Sequence, residues 1–219
     1  MKLYGYWRSS ASYRVRIGLN LKGIAYENVP VHLARGGGEQ HGAAFAAINP
    51  QSQVPALELD DGSVLTQSLA ILEYLDEAYA EPSLLPAEAG RRAFSRALAL
   101  TIACDIHPLD NLRVLAYLGA ELGADEAQKL GWYRHWIHQG FTAMETLLGR
   151  AGHQGGFCVG EAPSLADVCL VPQLYNARRF EVDLSAFPLL TAVEAHCLQL
   201  DAFAAAVPER QPDADPAAS

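Results

Sequence analysis

Three hydroxyls, Ser9, Ser10 and Ser12, fall within four positions near the start of the chain, between a strand-like stretch and an amphipathic run. A helix beginning there has free backbone N–H groups in its first turn, and an adjoining O–H adds a further donor for an anion. The same serines also serve as plain helix caps. Gln67 and Ser68 repeat the arrangement, with amides and a hydroxyl that suit a carboxylate, although Ser68 by itself reads as an N-cap. Val54-Pro55 either puts proline at the mouth of a strand, where it costs no ladder bond, or holds a cis bond that turns the Val54 backbone toward a ligand. His135 and His138 have the i, i+3 spacing of a metal pair, but no further ligand stands near them and no metal is assigned. Cys104, Cys158, Cys169 and Cys197 are scattered, with no C-x-x-C pair, and read as buried thiols in a reducing compartment.

Positioning these groups requires a particular order of elements. Lys2 to Trp7 has strand composition, with Tyr4, Tyr6 and Trp7 expected to pack it and Tyr6 or Trp7 able to border a substrate. Val15, Ile17, Leu19 and Leu21 then mark a helix ending at Gly23. Arg14 and Arg16, two apart on that helix, cannot share a face, so at least one is expected at the periphery. A second strand covers Tyr26 to Leu33, and Gly36 to Gly38 lead into a short helix over about His41 to Ala47. Ala56 to Leu59, the turn Asp60-Asp61-Gly62 and Ser63 to Leu65 predict a hairpin, and Leu69, Leu72 and Leu75 the apolar side of a further helix. The order βαβ, helix, ββα is that of a thioredoxin-like domain. Beyond a break at Glu81 to Pro86 strand signals fade, and long helices are expected over about 88–119 and 125–149. Ser164 and Asp167 resemble a capping box with a structural role, and the tail from Pro208 is expected to lie loosely on the surface. The chain therefore reads as α+β, with an N-terminal thioredoxin-like βαβ-α-ββα domain over 1–82 followed by an all-α helical domain over 88–219.

Composition narrows the partners. The chain has 219 residues, half of them hydrophobic, enough for a sizeable core in one or two domains. A net charge of −9 and a pI near 5.2 argue against general affinity for nucleic acid or anionic membrane. Arg8, Arg14 and Arg16 interrupt the start of the chain, and no run approaches the roughly 20 apolar residues of a membrane span, so a cytoplasmic protein is expected.

Specific strings carry a resemblance. RSSASYRVRIGL (8–19), NPQSQVPAL (49–57), QSLAILEYL (67–75), IHPLDNLRVL (106–115), ADVCLVPQ (166–173) and RRFEVDL (178–184) are together similar to the zeta class of the cytosolic glutathione transferases, the group that contains maleylacetoacetate isomerase. Ala11 stands where many members have Cys, leaving no cysteine in the expected thiol pocket, and Gly18 where Ala is usual. The resemblance implies glutathione as cofactor, with Ser9 stabilising the thiolate and Ser10 beside it. It also implies Gln67 and Ser68 at the γ-glutamyl end, Val54 and Pro55 at the cysteinyl part and Gln40 toward the glycyl end. Asp105 and His107 would reach glutathione across a homodimer interface, with Asn111 among the binding residues.

A free cysteine thiol has a pKa of about 8.5, so the reactive sulfur must be held ionised. A helix N-terminus contributes about 0.3–1 kcal/mol, less than the 1.36 kcal/mol of one pKa unit, whereas a hydrogen bond to a charged group adds roughly 1.5–3 kcal/mol. The hydroxyl therefore decides. The implied substrate is a small cis-enone dicarboxylic acid, which asks for guanidinium groups able to fork onto carboxylates: Arg8, Arg113 and Arg179, with Arg178 a solvated neighbour. Each could equally be an exposed ion pair. The implied activity is cis-trans isomerisation of maleylacetoacetate. Maleylpyruvate isomerisation, a transferase acting on α-halo acids, and a non-catalytic interaction module of the same fold are the alternatives.

Overall fold

The computed structural model describes residues 1–153 and 155–215. The described residues divide into two compact units, 1–84 with 199–215 and 85–198.

In the first unit, β1 (Lys2–Gly5), α1 (Ser10–Leu21) and β2 (Glu27–Pro30) form a parallel βαβ turn. Helix α2 (Ala43–Ile48) leads to β3 (Ala56–Glu58) and β4 (Val64–Thr66), paired antiparallel as Ala56↔Thr66, and then to α3 (Ser68–Ala78). The sheet order β2-β1-β3-β4, with β3 antiparallel to β1, is that of a thioredoxin-like domain. Alternation puts Leu3 of β1 and Leu57 of β3 on one face, where they meet Val15 and Leu19 of α1 and Ile71 and Leu75 of α3. Tyr6, Trp7, Val31, Phe45, Val54 and Ala56 form a second cluster. Gly62 turns the hairpin at φ 84°, the left-handed region its lack of a Cβ makes accessible.

The C-terminal segment corrects the expectation of a loose tail. Residues 199–215 pack with the first unit, where a helical domain running through 88–219 was expected. Asn20 donates to the Ala202 carbonyl at 2.9 Å within the segment that holds α9 (Asp201–Ala204). Pro208 is buried, and Asp213 accepts from the Trp7 N–H at 3.0 Å and from Asn28 Nδ2 at 3.4 Å. The segment's composition suggested a loose surface tail, but the Asp213 carboxylate joins the other contacts in holding it to the first unit.

In the second unit the expected helix over 88–119 is broken. Helix α4 (Ala89–Leu100) runs into a π-helical segment (Thr101–Ile106), and a separate α5 (Leu112–Ala120) begins after the turn 107–111. Pro108 lacks an N–H, and Asn111 starts the new helix by accepting from the Arg113 N–H at 3.1 Å. Helix α6 (Glu126–Arg150) opens with a capping box from Asp125 and Gln128. Helix α7 (Leu165–Arg179) is buried along most of its length and packs against α4 and α8 (Pro188–Cys197); Leu98, Ile137, Phe141, Met144, Leu190 and Val193 are buried with it in this unit. The Asp167 capping role holds: its carboxylate accepts from the Ser164 N–H and Oγ and from the Cys158 N–H, all within 2.8 Å. Cys158, Cys169 and Cys197 are buried as expected, but Cys104 is exposed, on the outer side of the π-helical segment.

Candidate functional site

The turn from β1 into α1 sorts the three serines. Ser9 caps α1 from an extended conformation (φ −69°, ψ 117°), and its Oγ accepts the Ser12 N–H at 3.2 Å. Ser12 is fully buried; its Oγ accepts the Tyr6 N–H at 3.4 Å and lies 3.1 Å from where a Cβ on Gly5 would stand. Ser10 is 3% exposed and turned into the fold. Ser9 is half-buried, and because its oxygen is engaged as an acceptor, its hydrogen is left to donate outward. No acidic side chain occupies the first turn of α1, so its positive end is not offset locally. Accepting at one lone pair does not consume the Ser9 O–H, so capping leaves a donor available.

Arg8 follows the strand, half-buried, with Nη2 3.5 Å from Tyr6 Oη and its guanidinium 4.7 Å from the centre of the Trp7 ring. Tyr6 and Trp7 pack in the core, as expected for the strand. The Val54–Pro55 bond is cis, directly before β3, and both residues are buried. Ser68 is the first residue of α3 and not its cap. Gln67 occupies the cap position at φ 67° without a side-chain cap bond and donates through Nε2 to Gln51 Oε1 at 2.8 Å. The Ser68 hydroxyl instead accepts from Arg14 Nη1 at 3.2 Å.

Both helix arginines are buried, each 2% exposed, which overturns the expectation of a peripheral one. Different faces of α1 each meet protein: Arg14 points to the start of α3, while Arg16 donates to the Ala206 and Trp7 carbonyls at 3.1 and 2.9 Å. A Cβ at Gly18 would come 2.2 Å from Leu72 Cδ2, so the glycine lets α1 approach α3. Gln40 is 9% exposed; Nε2 donates to the Leu33 carbonyl at 3.4 Å, while its buried Oε1 is left with no partner. Donors at the start of α1, a carboxylate-suited start of α3 and an orphaned buried acceptor at Gln40 fit a peptide with a thiol, an anionic end and N–H groups.

The second unit holds the remaining predicted residues. Asp105 is exposed on the π-helical segment, and His107 is half-buried in the turn after it, its N–H bonded to the Ile102 carbonyl at 2.9 Å. Asn111 spends its side-chain oxygen on capping α5, and Arg113 is exposed on that helix. Arg179 ends α7, exposed, with its guanidinium 4.9 Å from the Phe180 ring centre. Arg178 is more than a solvated neighbour: it donates to the buried Glu194 at 2.6 Å. His135 and His138 lie edge-on to Trp136 and Phe187, and among the described residues no group of three or more His, Cys, Asp or Glu gathers as for a metal.

Sequence reasoning missed Asp110. It is 5% exposed, neither carboxylate oxygen has a partner, and burial pushes its carboxyl up to about 8. Charge on Asp110 also raises the Tyr133 phenol, whose own burial is the larger cause. Nothing in IHPLDNLRVL distinguishes this acid from a solvated turn residue, because only tertiary packing closes over it.

Residues 3–83 match the family description of the glutathione S-transferase N-terminal domain. A probable maleylacetoacetate isomerase of Vibrio cholerae is 54% identical, covering 97% of both chains. The solved holo structure of a maleylpyruvate isomerase, described as a bacterial glutathione S-transferase of the zeta class, superposes with a TM-score of 0.94 at 51% identity, covering 98% of this chain and 100% of that one. A maleylacetoacetate isomerase from Methylobacterium extorquens AM1, solved with bound malonate and glutathione, gives a TM-score of 0.94 at 46% identity with the same coverage.

Proposed function

Because the chain belongs to the zeta class of the glutathione S-transferase family, we propose that it is a glutathione-dependent cis-trans isomerase that converts maleylacetoacetate to fumarylacetoacetate. The observation that carries this reading is Ser9: a half-buried hydroxyl at the first turn of α1, engaged as acceptor by the Ser12 N–H and free to donate its hydrogen. Bound glutathione would supply a nucleophilic thiolate whose reversible addition to the cis double bond leaves a single bond free to rotate. Ser9 holds the sulfur ionised, which the helix N-terminus alone does not achieve. The amides at the start of α3, the Ser68 hydroxyl and Gln67 bind the γ-glutamyl end. The Val54 backbone, beside Pro55, pairs with the cysteinyl part, and Gln40 reaches the glycyl end. Arg8, Arg113 and Arg179 hold the acid groups of the substrate and counter negative charge that develops during addition. Ser10 contributes through its backbone position at the helix start.

The active species is a cytoplasmic homodimer in which Asp105, His107 and Asn111 serve the glutathione site of the partner subunit; a monomeric mass in solution contradicts this part. No helix among the described residues is long and apolar enough to cross a membrane. A second reading, maleylpyruvate isomerisation, is favoured by the 51% identity to an enzyme of that name and would use the same thiol and arginines. Side-by-side progress curves on maleylacetoacetate, maleylpyruvate and an α-halo acid rank the activities, with maleylacetoacetate expected to turn over fastest. Absence of a thermal shift with glutathione would favour a non-catalytic interaction module.

A further inference from the structure

The buried guanidinium of Arg14 stands directly behind the start of α3. It is 2% exposed, and Nη1 donates to Ser68 Oγ at 3.2 Å. Arginine cannot lose its proton inside a protein, so a full positive charge is fixed at this depth. Ser68 is 6% exposed and is the first residue of an eleven-residue helix whose first turn leaves N–H groups without intrahelical acceptors. With the guanidinium donating to its oxygen, the Ser68 hydroxyl turns its single hydrogen away from the cation, toward whatever occupies the helix start. Gln67 at φ 67° carries the chain sharply into the helix, and its side chain is drawn off to Gln51. The start of α3 thus combines an oriented O–H, first-turn amides and a buried cation bonded to that hydroxyl.

We propose that Arg14 is a positioning residue for this carboxylate subsite: it fixes the Ser68 hydroxyl as a donor and sets a positive charge behind it, selecting the α-carboxylate of the γ-glutamyl group. The proposal rests on the glutathione reading above and deepens it by naming what discriminates the anionic end of the peptide. Arg14 touches neither the sulfur nor the double bond, so it acts on peptide affinity and not on the chemical step.

The test compares glutathione with γ-aminobutyryl-cysteinyl-glycine, the same peptide without that carboxylate, by calorimetry on the wild type, Arg14→Gln and Arg14→Lys. The wild type is expected to prefer glutathione by about a hundredfold. Arg14→Gln should cut the preference below about tenfold, with affinity for the analogue unchanged within about twofold, and Arg14→Lys should restore part of it. The KM for glutathione should rise while kcat at saturation stays within about threefold of the wild type. Should Arg14→Gln keep the full preference, or weaken both peptides equally, Arg14 is structural and the proposal is overturned. Arginine-labelled wild-type protein gives an answer independent of variant folding: the Arg14 guanidinium N–H resonance should shift with glutathione and not with the analogue, while Arg16 stays unmoved. An identical response to both peptides overturns the proposal. Binding of neither peptide overturns the glutathione reading itself, and this proposal with it.

Discussion

Ser9 and Asp110 are opposite cases of a polar group whose surroundings set its chemistry. Ser9 was legible as the cap of α1, where its Oγ accepts the Ser12 N–H; its donation to a sulfur is the proposal above. Losing a hydrogen bond to a charged sulfur costs roughly 1.5–3 kcal/mol, so Ser9→Ala should lower kcat by about ten- to a hundredfold, with a much smaller change in glutathione affinity. The same variant should raise the pH midpoint of the thiolate absorbance of bound glutathione; an unchanged midpoint removes Ser9 from this role. Asp110 was not legible, because its chemistry comes from what packs over it. Its carboxyl sits near 8 in the fold against about 3.9 in an unfolded chain, so the folded state holds a proton that the unfolded state releases. That contribution is whole below about pH 4 and is lost as pH rises through about 8. Thermal melts should therefore show the wild type losing stability from pH 5 to 8 relative to Asp110→Asn, which cannot ionise; parallel curves would contradict the assignment.

Among the elements, those with a short-range signature were readable and those decided by packing were not. The hairpin followed from Asp60-Asp61-Gly62, and the capping box from Ser164 and Asp167. The break between α4 and α5 was hidden because apolar periodicity continues through Ile106 and Leu112, while Pro108 and Asn111 end one helix and start the next. Helical periodicity likewise misplaced Arg14 and Arg16, since a helix covered on several faces has no periphery for the second charge. The π-helical segment that carries Asp105 is wedged against Gly140 of α6, where a Cβ would lie 2.2 Å from Ile106 Cδ1 and 2.4 Å from Cγ1. Ile106 is 1% exposed and has no room to withdraw. Gly140→Ala should therefore destabilise by about 1–3 kcal/mol, despite the better helix propensity of alanine. Denaturant titration checks this, and an unchanged or raised midpoint would mean that the segment yields freely.

For the molecule as a whole, the order of elements and the family strings pointed to one fold, and the path of the last residues was the surprise. Asp213 ties the C-terminal segment to the Trp7 N–H and to Asn28, next to the Ser9 turn. Asp213→Ala should lower stability by about 1–2 kcal/mol, since it leaves a partly buried N–H unpaired. A thermal melt that does not move would mean the segment is held by its other contacts alone. Composition concealed this, because nothing local in a tail where proline, alanine and aspartate predominate announces a long-range partner. The central claim is that the protein turns over a cis-enone diacid with glutathione as a recycled thiol. Its most direct measurement is conversion of maleylacetoacetate by purified protein with glutathione present far below the substrate concentration. Complete conversion to the trans product with all free thiol recovered is the expected result. No acceleration over glutathione alone, or loss of one thiol for each substrate consumed, would contradict it.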